Sequence, residues 1–284
     1  MTRVPHSRPG RAASRRLPAL LVATTLLALG FSSCIAPAPA QVKSPPAQPL
    51  LMAGGTLGRP DEALALYQQS LSCQPQGNDT RILHARLLMI AGCLPDAREE
   101  LDLVLGEEPR NASALYNLAT VAGMEGDAAE REDLLRRALA VDPGNADTLA
   151  ALGDIASSKG DLGRAGEMFA RALASDPDAV SALLGAAGLR AGAGDWEAAE
   201  TLYTRAIEIR ADDPLAYADR GQVYVSLSRL REATADFDAA VRLDPSQSLF
   251  YALRARALAL AGDSAGAAAD REMAVALNPA SADN

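Results

Sequence analysis

The residues that most often carry chemistry are scarce in this 284-residue chain. Its two histidines are His6 and His84. A Ser–His–Asp or Cys–His site would have to use His84, because His6 lies in an N-terminal segment that we expect to be removed. No two histidines or cysteines stand at the spacing of metal ligands, and no glycine loop has the pattern that cradles phosphate. The sequence therefore predicts no catalytic residue, no metal and no cofactor.

The chemistry that the sequence does indicate is lipid attachment at Cys34. The preceding Phe-Ser-Ser resembles a bacterial lipobox, in which small residues precede a cysteine that is acylated and becomes the new N-terminus. Five arginines and then an apolar run over 17–31 come before it, which is the pattern of a secretory signal and is too short for an uncleaved membrane anchor. We predict a signal peptide at 1–33 and a lipidated Cys34. Ordinary cleavage after Ala40 is the alternative.

Residues 34–56 are rich in alanine and proline and have almost no charge, which is typical of a semi-extended tether. Ala36 is not the aspartate that would suggest retention at an inner membrane. We therefore expect a lipoprotein on the periplasmic face of an outer membrane. A soluble periplasmic or secreted protein is expected if cleavage follows Ala40 instead.

The charge of the chain argues against negatively charged partners. Removal of residues 1–33 deletes five arginines and no acid, which leaves 22 basic and 36 acidic residues and a net charge of −14. Such a surface disfavours nucleic acid and anionic membrane lipids. The partners that we expect are proteins, together with a membrane reached through the lipid, and no small-molecule substrate.

A regular repeat in the sequence defines the helices that must position any functional residues. Prolines recur 34 residues apart, with Ala211 in the one missing slot; they are Pro75, Pro109, Pro143, Pro177, Pro245 and Pro279. A period of 34 is the length of one helix–turn–helix repeat. The sequence predicts an α-solenoid over 57–281, with a half unit at 57–77 followed by six full units. Units one to six are 78–111, 112–145, 146–179, 180–213, 214–247 and 248–281.

The pattern inside a unit indicates a family. Unit five has large and small residues in a fixed order: Tyr217, Gly221 and Tyr224 in its first helix, Ala233, Phe237 and Ala240 in its second, and Asp244-Pro245 at its close. This order resembles the tetratricopeptide repeat, which implies an all-α, right-handed solenoid. Unit two departs from it at Arg131, where a small residue is usual.

A correlation within the units predicts three ion pairs. Where the seventh residue of a unit is polar, the twenty-third is acidic, and where one is apolar so is the other. Antiparallel helices of one hairpin bring these two positions within side-chain reach. The predicted pairs are His84–Glu100, Arg220–Asp236 and Arg254–Asp270, and we interpret them as structural.

The family resemblance also implies a concave groove lined by residues 2, 5, 9 and 12 of each first helix. The candidate groove residues are Ile82, Arg86, Met89, Tyr116, Thr120, Asp154, Gln222 and Arg256. An apolar patch with an arginine at one end suits an extended peptide or an amphipathic helix. Binding by the convex face or an edge stays open.

The expected function is a non-catalytic scaffold. The order of lipobox, tether and repeats is similar to that of lipoproteins that help pilus or secretion-system secretins to assemble. An adaptor that recruits a cell-wall or polysaccharide enzyme is the first alternative, and an enzyme is the second.

Overall fold

Helices of 13 or 14 residues fill residues 77–278, the part of the chain that the computed structural model describes. In chain order they are α1 (Asn78–Ile90), α2 (Leu94–Glu107), α3 (Ala112–Glu125), α4 (Ala128–Val141), α5 (Ala146–Ser158), α6 (Leu162–Ser175), α7 (Val180–Gly192), α8 (Trp196–Ile209), α9 (Pro214–Ser226), α10 (Leu230–Leu243), α11 (Ser248–Ala261) and α12 (Ser264–Leu277). The predicted signal peptide, Cys34, the predicted tether and nearly all of the predicted half unit lie outside the described residues.

Each unit is one helical hairpin. A helix packs most extensively on its hairpin partner and next on the helix that follows it, so contacts run along the chain from neighbour to neighbour. This is the stacking of a solenoid, in which each repeat contacts its neighbours. The predicted all-α solenoid is confirmed.

Small residues let the helices of a hairpin approach each other. Ala97, Ala165 and Ala233 stand at the same place in three second helices and are fully buried. Phe169 is also buried, and a Cβ atom added at Gly153 or Gly185 would lie 2.6 or 2.3 Å from its ring. No real Cβ is tolerated so close, so packing requires these two glycines.

The turn within the hairpin is glycine followed by aspartate in units two, three, four and six. Gly126 and Gly160 have φ values of 85° and 79°, in the left-handed region that favours glycine. The carboxylates of Asp127 and Asp161 then accept hydrogen bonds from backbone N–H groups of the next helix. In unit five Ser228 occupies the glycine position with a φ of 61°.

Proline is not needed to end a second helix. Helix α8 ends at Ile209 although Ala211 stands where other units have proline. Its C-cap Arg210 is extended like Asp142 and Asp176, which precede prolines. Asp213 then caps α9 by accepting hydrogen bonds from two backbone N–H groups.

Candidate functional site

The candidate groove residues of units two and three lie together. Tyr116, Thr120 and Asp154 line one cavity of about 310 Å³, which spans α3, α5 and the start of α7. Asp147 contributes a second carboxylate to the same cavity. We call this cavity the Tyr116 groove.

The structure corrects the contribution of unit one. Ile82 and Met89 are each 9% exposed and belong to the apolar core, because the two side chains lie on the same inward face of α1 as Ala85 and Leu88. They do not form an open groove surface. Arg86 is exposed, and its positive charge acts on Tyr116.

The candidate residues of units five and six lie apart from this groove. Gln222 and Arg256 line a separate cavity of about 80 Å³ between α9 and α11. Both side chains are exposed. The eight sequence candidates therefore do not line one continuous cavity.

Arg131 is a groove residue that the sequence analysis did not choose. It comes from the second helix of unit two, and it reaches the Tyr116 groove by passing over Gly123. A Cβ atom at Gly123 would stand 3.0 Å from Cδ of Arg131, so the glycine leaves room for this path. The signal was present in the sequence as an arginine where repeats of this kind have a small residue.

A larger, apolar cleft lies between units three and four. It has a volume of about 830 Å³ and opens between α6 and α7. Leu162, Phe169, Leu173, Gly188, Leu189 and Leu202 are among the residues that line it. We call it the Gly188 cleft. Asp154 lines both this cleft and the Tyr116 groove, so the two openings adjoin at that residue.

Two carboxylates on the first helices have raised pKa values. Burial raises the pKa of Asp154, and the charge of Arg131 opposes that rise. Burial also raises the pKa of Asp219, and the neighbouring Asp213 adds to the rise. Neither carboxylate accepts a hydrogen bond from the described residues.

The structure brings together all three predicted ion pairs. Arg220 donates to both carboxylate oxygens of Asp236 at 2.8 Å. Arg254 does the same to Asp270 at 2.7 Å. His84 is 3.2 Å from Glu100 through Nδ1, and Arg81 donates to the other oxygen of that carboxylate.

These pairs lie inside the hairpins. Asp236 and Asp270 are mostly buried, and Arg220 also donates to Thr204 of the preceding unit at 3.1 Å. Their donors and acceptors are taken up by each other, as in a structural contact. Nε2 of His84 is buried and has no hydrogen-bond partner in the described chain.

Binding is the chemistry that these surfaces can support. Within residues 77–278 no group of three His, Cys, Asp or Glu side chains could hold a metal ion. The same residues contain no helix that combines the length and the apolar character needed to cross a membrane. The two openings offer apolar walls, carboxylates and two arginines, which suit the docking of a polypeptide.

Family models give a direct comparison. One model, described as a tetratricopeptide repeat, matches residues 124–187 and 156–222. A second model with the same description matches 82–146 and 218–282. Together they cover the chain from 82 to 282, which is well over half of its length. The comparison with curated proteins gave no match.

Solved structures give the same fold. The Cut9–Hcn1 hetero-tetramer of the APC/C contains a chain with a TM-score of 0.71 and 15% identity; the match covers 81% of this chain and 45% of that one. This chain thus spans less than half of that relative. PilF of Pseudomonas aeruginosa has a TM-score of 0.61 at 18% identity, with 71% and 92% covered. PilW, a type IV pilus biogenesis factor, has the same TM-score and identity, with 71% and 94% covered. At these identities the likeness shows the fold.

Proposed function

The chain belongs to the tetratricopeptide repeat family, and from this premise we propose that it is a non-catalytic protein-binding scaffold. We propose further that a lipid on Cys34 holds it at a membrane, where it assists the assembly of an envelope machine of the pilus or secretion-system type. The observation that carries the binding function is the pair of openings on units two to four, where apolar walls meet carboxylates and arginines.

Three features support this proposal. The openings combine apolar side chains with carboxylates and arginines on the helices of neighbouring repeats. The N-terminal sequence has the order of a lipoprotein, with a basic segment, an apolar run and a cysteine after small residues. The structural likeness to PilW, a pilus biogenesis factor, suggests the kind of machine.

The test of membrane attachment is Cys34→Ala. Loss of the acylated thiol should move the protein from the membrane fraction to the soluble fraction and abolish incorporation of a labelled fatty acid. Cys93→Ala is the matched control, since Cys93 is a free thiol within the repeats and its loss should change neither result. A wild-type protein whose mass corresponds to an unmodified chain beginning at Gln41 would contradict lipid attachment.

The test of scaffolding is chemical crosslinking of the wild-type chain in intact cells. We expect crosslinked partners to be components of one envelope assembly, and loss of the chain to lower the amount of that assembly without lowering its subunits. An assembly that forms normally without the chain would contradict the proposed role.

A further inference from the structure

Side chains from neighbouring units bridge four of the five junctions in the solenoid. The first partner of each bridge is residue 21 or residue 25 of its unit, and the second partner lies in the unit that follows. In chain order the bridges are Arg98–Glu130, Glu132–Lys159, Glu200–Arg229, Thr204–Arg220 and Asp238–Arg254. They join units one to two, two to three, four to five and five to six.

The junction between units three and four has small apolar residues at the same positions. Residues 21 and 25 of unit three and residues 7 and 14 of unit four are Gly166, Ala170, Ala186 and Ala193. None of these side chains can form an ion pair or a hydrogen bond. All four residues line the Gly188 cleft. The cleft therefore lies where the other junctions are bridged.

The apolar core is interrupted at the same place. The core that begins in unit one extends to Ala182 on α7, whereas Ala187 on the same helix belongs to a separate cluster with Tyr203. Three of the 13 residues of α7 are glycine. Glycine in a helix interior lowers the stability of the helix and favours bending. Packing across this junction is therefore weaker than within either half of the chain.

Units three and four remain in contact along one line. A Cβ atom at Gly185 would lie 2.3 Å from the ring of Phe169, so this buried ring lies directly against the backbone of α7. A flat ring on a glycine has no interlocking ridge and groove that would resist rotation. The ion pair between the two units, Arg205–Asp178, is exposed and stabilises the contact only slightly. The junction is thus held at Phe169 and open on the side of the cleft.

We propose that this junction is a hinge, at which units one to three rotate against units four to six. The contact between Phe169 and Gly185 is the pivot. Rotation in one direction closes the Gly188 cleft of about 830 Å³, and rotation in the other direction opens it. This is a hinge between two rigid bodies, in which a few residues at one junction absorb the motion.

Apolar side chains supply a driving force for closure. Leu162 is 59% exposed, and it lines the cleft together with Leu189 and Leu202. Closure would remove part of this apolar surface from water, which is favourable. Opening would restore the conformational freedom of the two halves. Because the two effects oppose each other, we expect both states to be populated.

The hinge also acts on the Tyr116 groove. Ser181 of unit four lines that groove, whereas Tyr116 and Asp154 belong to units two and three. Rotation at the junction would therefore change the width of the groove. The inference concerns the motion of the chain, and it depends neither on the lipid nor on the partner proposed above.

The experiment measures distances between pairs of spin labels by double electron–electron resonance on the full chain. The labels are attached to noncanonical residues at position 22, which is exposed in all six units, so that the native cysteines stay in place. The three pairs are Glu99 with Glu167, Asp133 with Thr201, and Thr201 with Ala269. Each pair is two units apart, and the second spans the junction between units three and four.

We expect the distance distribution of the second pair to be at least about twice as broad as those of the other two pairs. The first and third pairs are the controls, because each lies on one side of the proposed hinge. Equal widths for all three pairs would overturn the inference.

Two variants should restrict the hinge. Gly166→Glu with Ala193→Lys places at this junction the same residues, at the same positions, that join units two and three as Glu132 and Lys159. Gly192→Leu fills the cleft from a position with no atom within 4 Å of an added Cβ atom. We expect each variant to narrow the distribution of the Asp133–Thr201 pair to about the width of the controls.

Each variant has a matched control. Gly166→Lys with Ala193→Lys adds side chains of similar size with like charges, and should leave the distribution broad. Gly106→Leu adds a leucine at an open helical glycine on α2, and should change none of the three widths. Circular dichroism of each variant shows that the helices are retained.

The outcomes separate the hinge from the proposed function. A broad distribution that neither restricting variant narrows would place the motion elsewhere and overturn the inference, even if crosslinking identified an envelope assembly. Narrowing by either variant would support the hinge, even if Cys34→Ala left the chain at the membrane.

Discussion

Units two and three differ from units five and six at the same place in the hairpin. Positions 7 and 23 are Leu118 and Leu134 in unit two, both buried, whereas in unit five they are Arg220 and Asp236. The earlier units belong to one continuous apolar core that extends from unit one to the start of unit four. The later units have smaller apolar clusters around Phe237 and Phe250.

The difference shows that positions 7 and 23 of the hairpin can hold either two apolar side chains or an ion pair. Apolar side chains join a core without a fixed direction, because burial of apolar surface has no preferred geometry. A bidentate arginine–carboxylate pair fixes both distance and orientation. It also ties the hairpin to its neighbour, since Arg220 bonds to Thr204 and Arg254 bonds to Asp238 of the preceding units.

The largest expected effect comes from breaking one ionic pair. Asp236→Ala should lower the free energy of unfolding by about 3 kcal/mol, because the mostly buried Arg220 would lose its carboxylate partner and keep only the hydroxyl of Thr204. The double variant Arg220→Leu with Asp236→Leu should recover much of that loss, since unit two has leucines at both positions. Urea denaturation monitored by circular dichroism gives both values.

The matched control is Asp238→Ala, whose carboxylate is half exposed and pairs with Arg254. It should cost no more than about 1 kcal/mol. If Asp236→Ala and the wild type unfolded at the same urea concentration, the pair would have no structural role and the comparison between the two halves would fail.

A smaller effect tests a feature that the two halves share. Gly153→Ala in unit three and Gly221→Ala in unit five should each destabilise the fold by about 2 kcal/mol, because the new methyl group would meet Phe169 or Phe237 at 2.6–2.7 Å. Thermal unfolding of both variants measures the cost. Gly106→Ala, with no atom near its added Cβ, is the control and should not destabilise. A large cost in one half and none in the other would show that the two cores differ in more than the ionic pairs.

The smallest effect concerns the hairpin turn. Ser228 has the left-handed backbone that glycine provides in units two and three, so Ser228→Gly should stabilise the chain by about 1 kcal/mol. Gly160→Ser is the reciprocal change in unit three and should destabilise by a similar amount. A rise in the melting temperature with the first variant and a fall with the second would confirm that the turns of the two halves obey one rule.

Much of the fold could be predicted because the residues that determine it interact within one repeat. The partners of the ionic pairs are 16 residues apart within one hairpin. The aspartate of a turn accepts hydrogen bonds from the first backbone N–H groups of the helix that follows it. Positions that interact inside one repeat recur at a fixed spacing, so a pattern in the sequence is sufficient to find them.

The candidate site was predicted less completely. The family pattern selects Tyr116, Thr120 and Asp154, which do meet in one groove. It also selects Ile82 and Met89, which the structure buries. The sequence position of a residue in its helix gives the face on which it lies, but whether that face is covered depends on the side chains of other elements.

The sequence by itself determined the period, the hairpins, their caps and the ionic pairs, because each depends on residues within one repeat. The tertiary structure alone decided where space remains between repeats. The Gly188 cleft depends on Gly166 in α6 and on Gly188 and Ala193 in unit four, and the path of Arg131 depends on Gly123 in the facing helix. An opening is the volume that several elements together leave unfilled, so no single stretch of sequence specifies it.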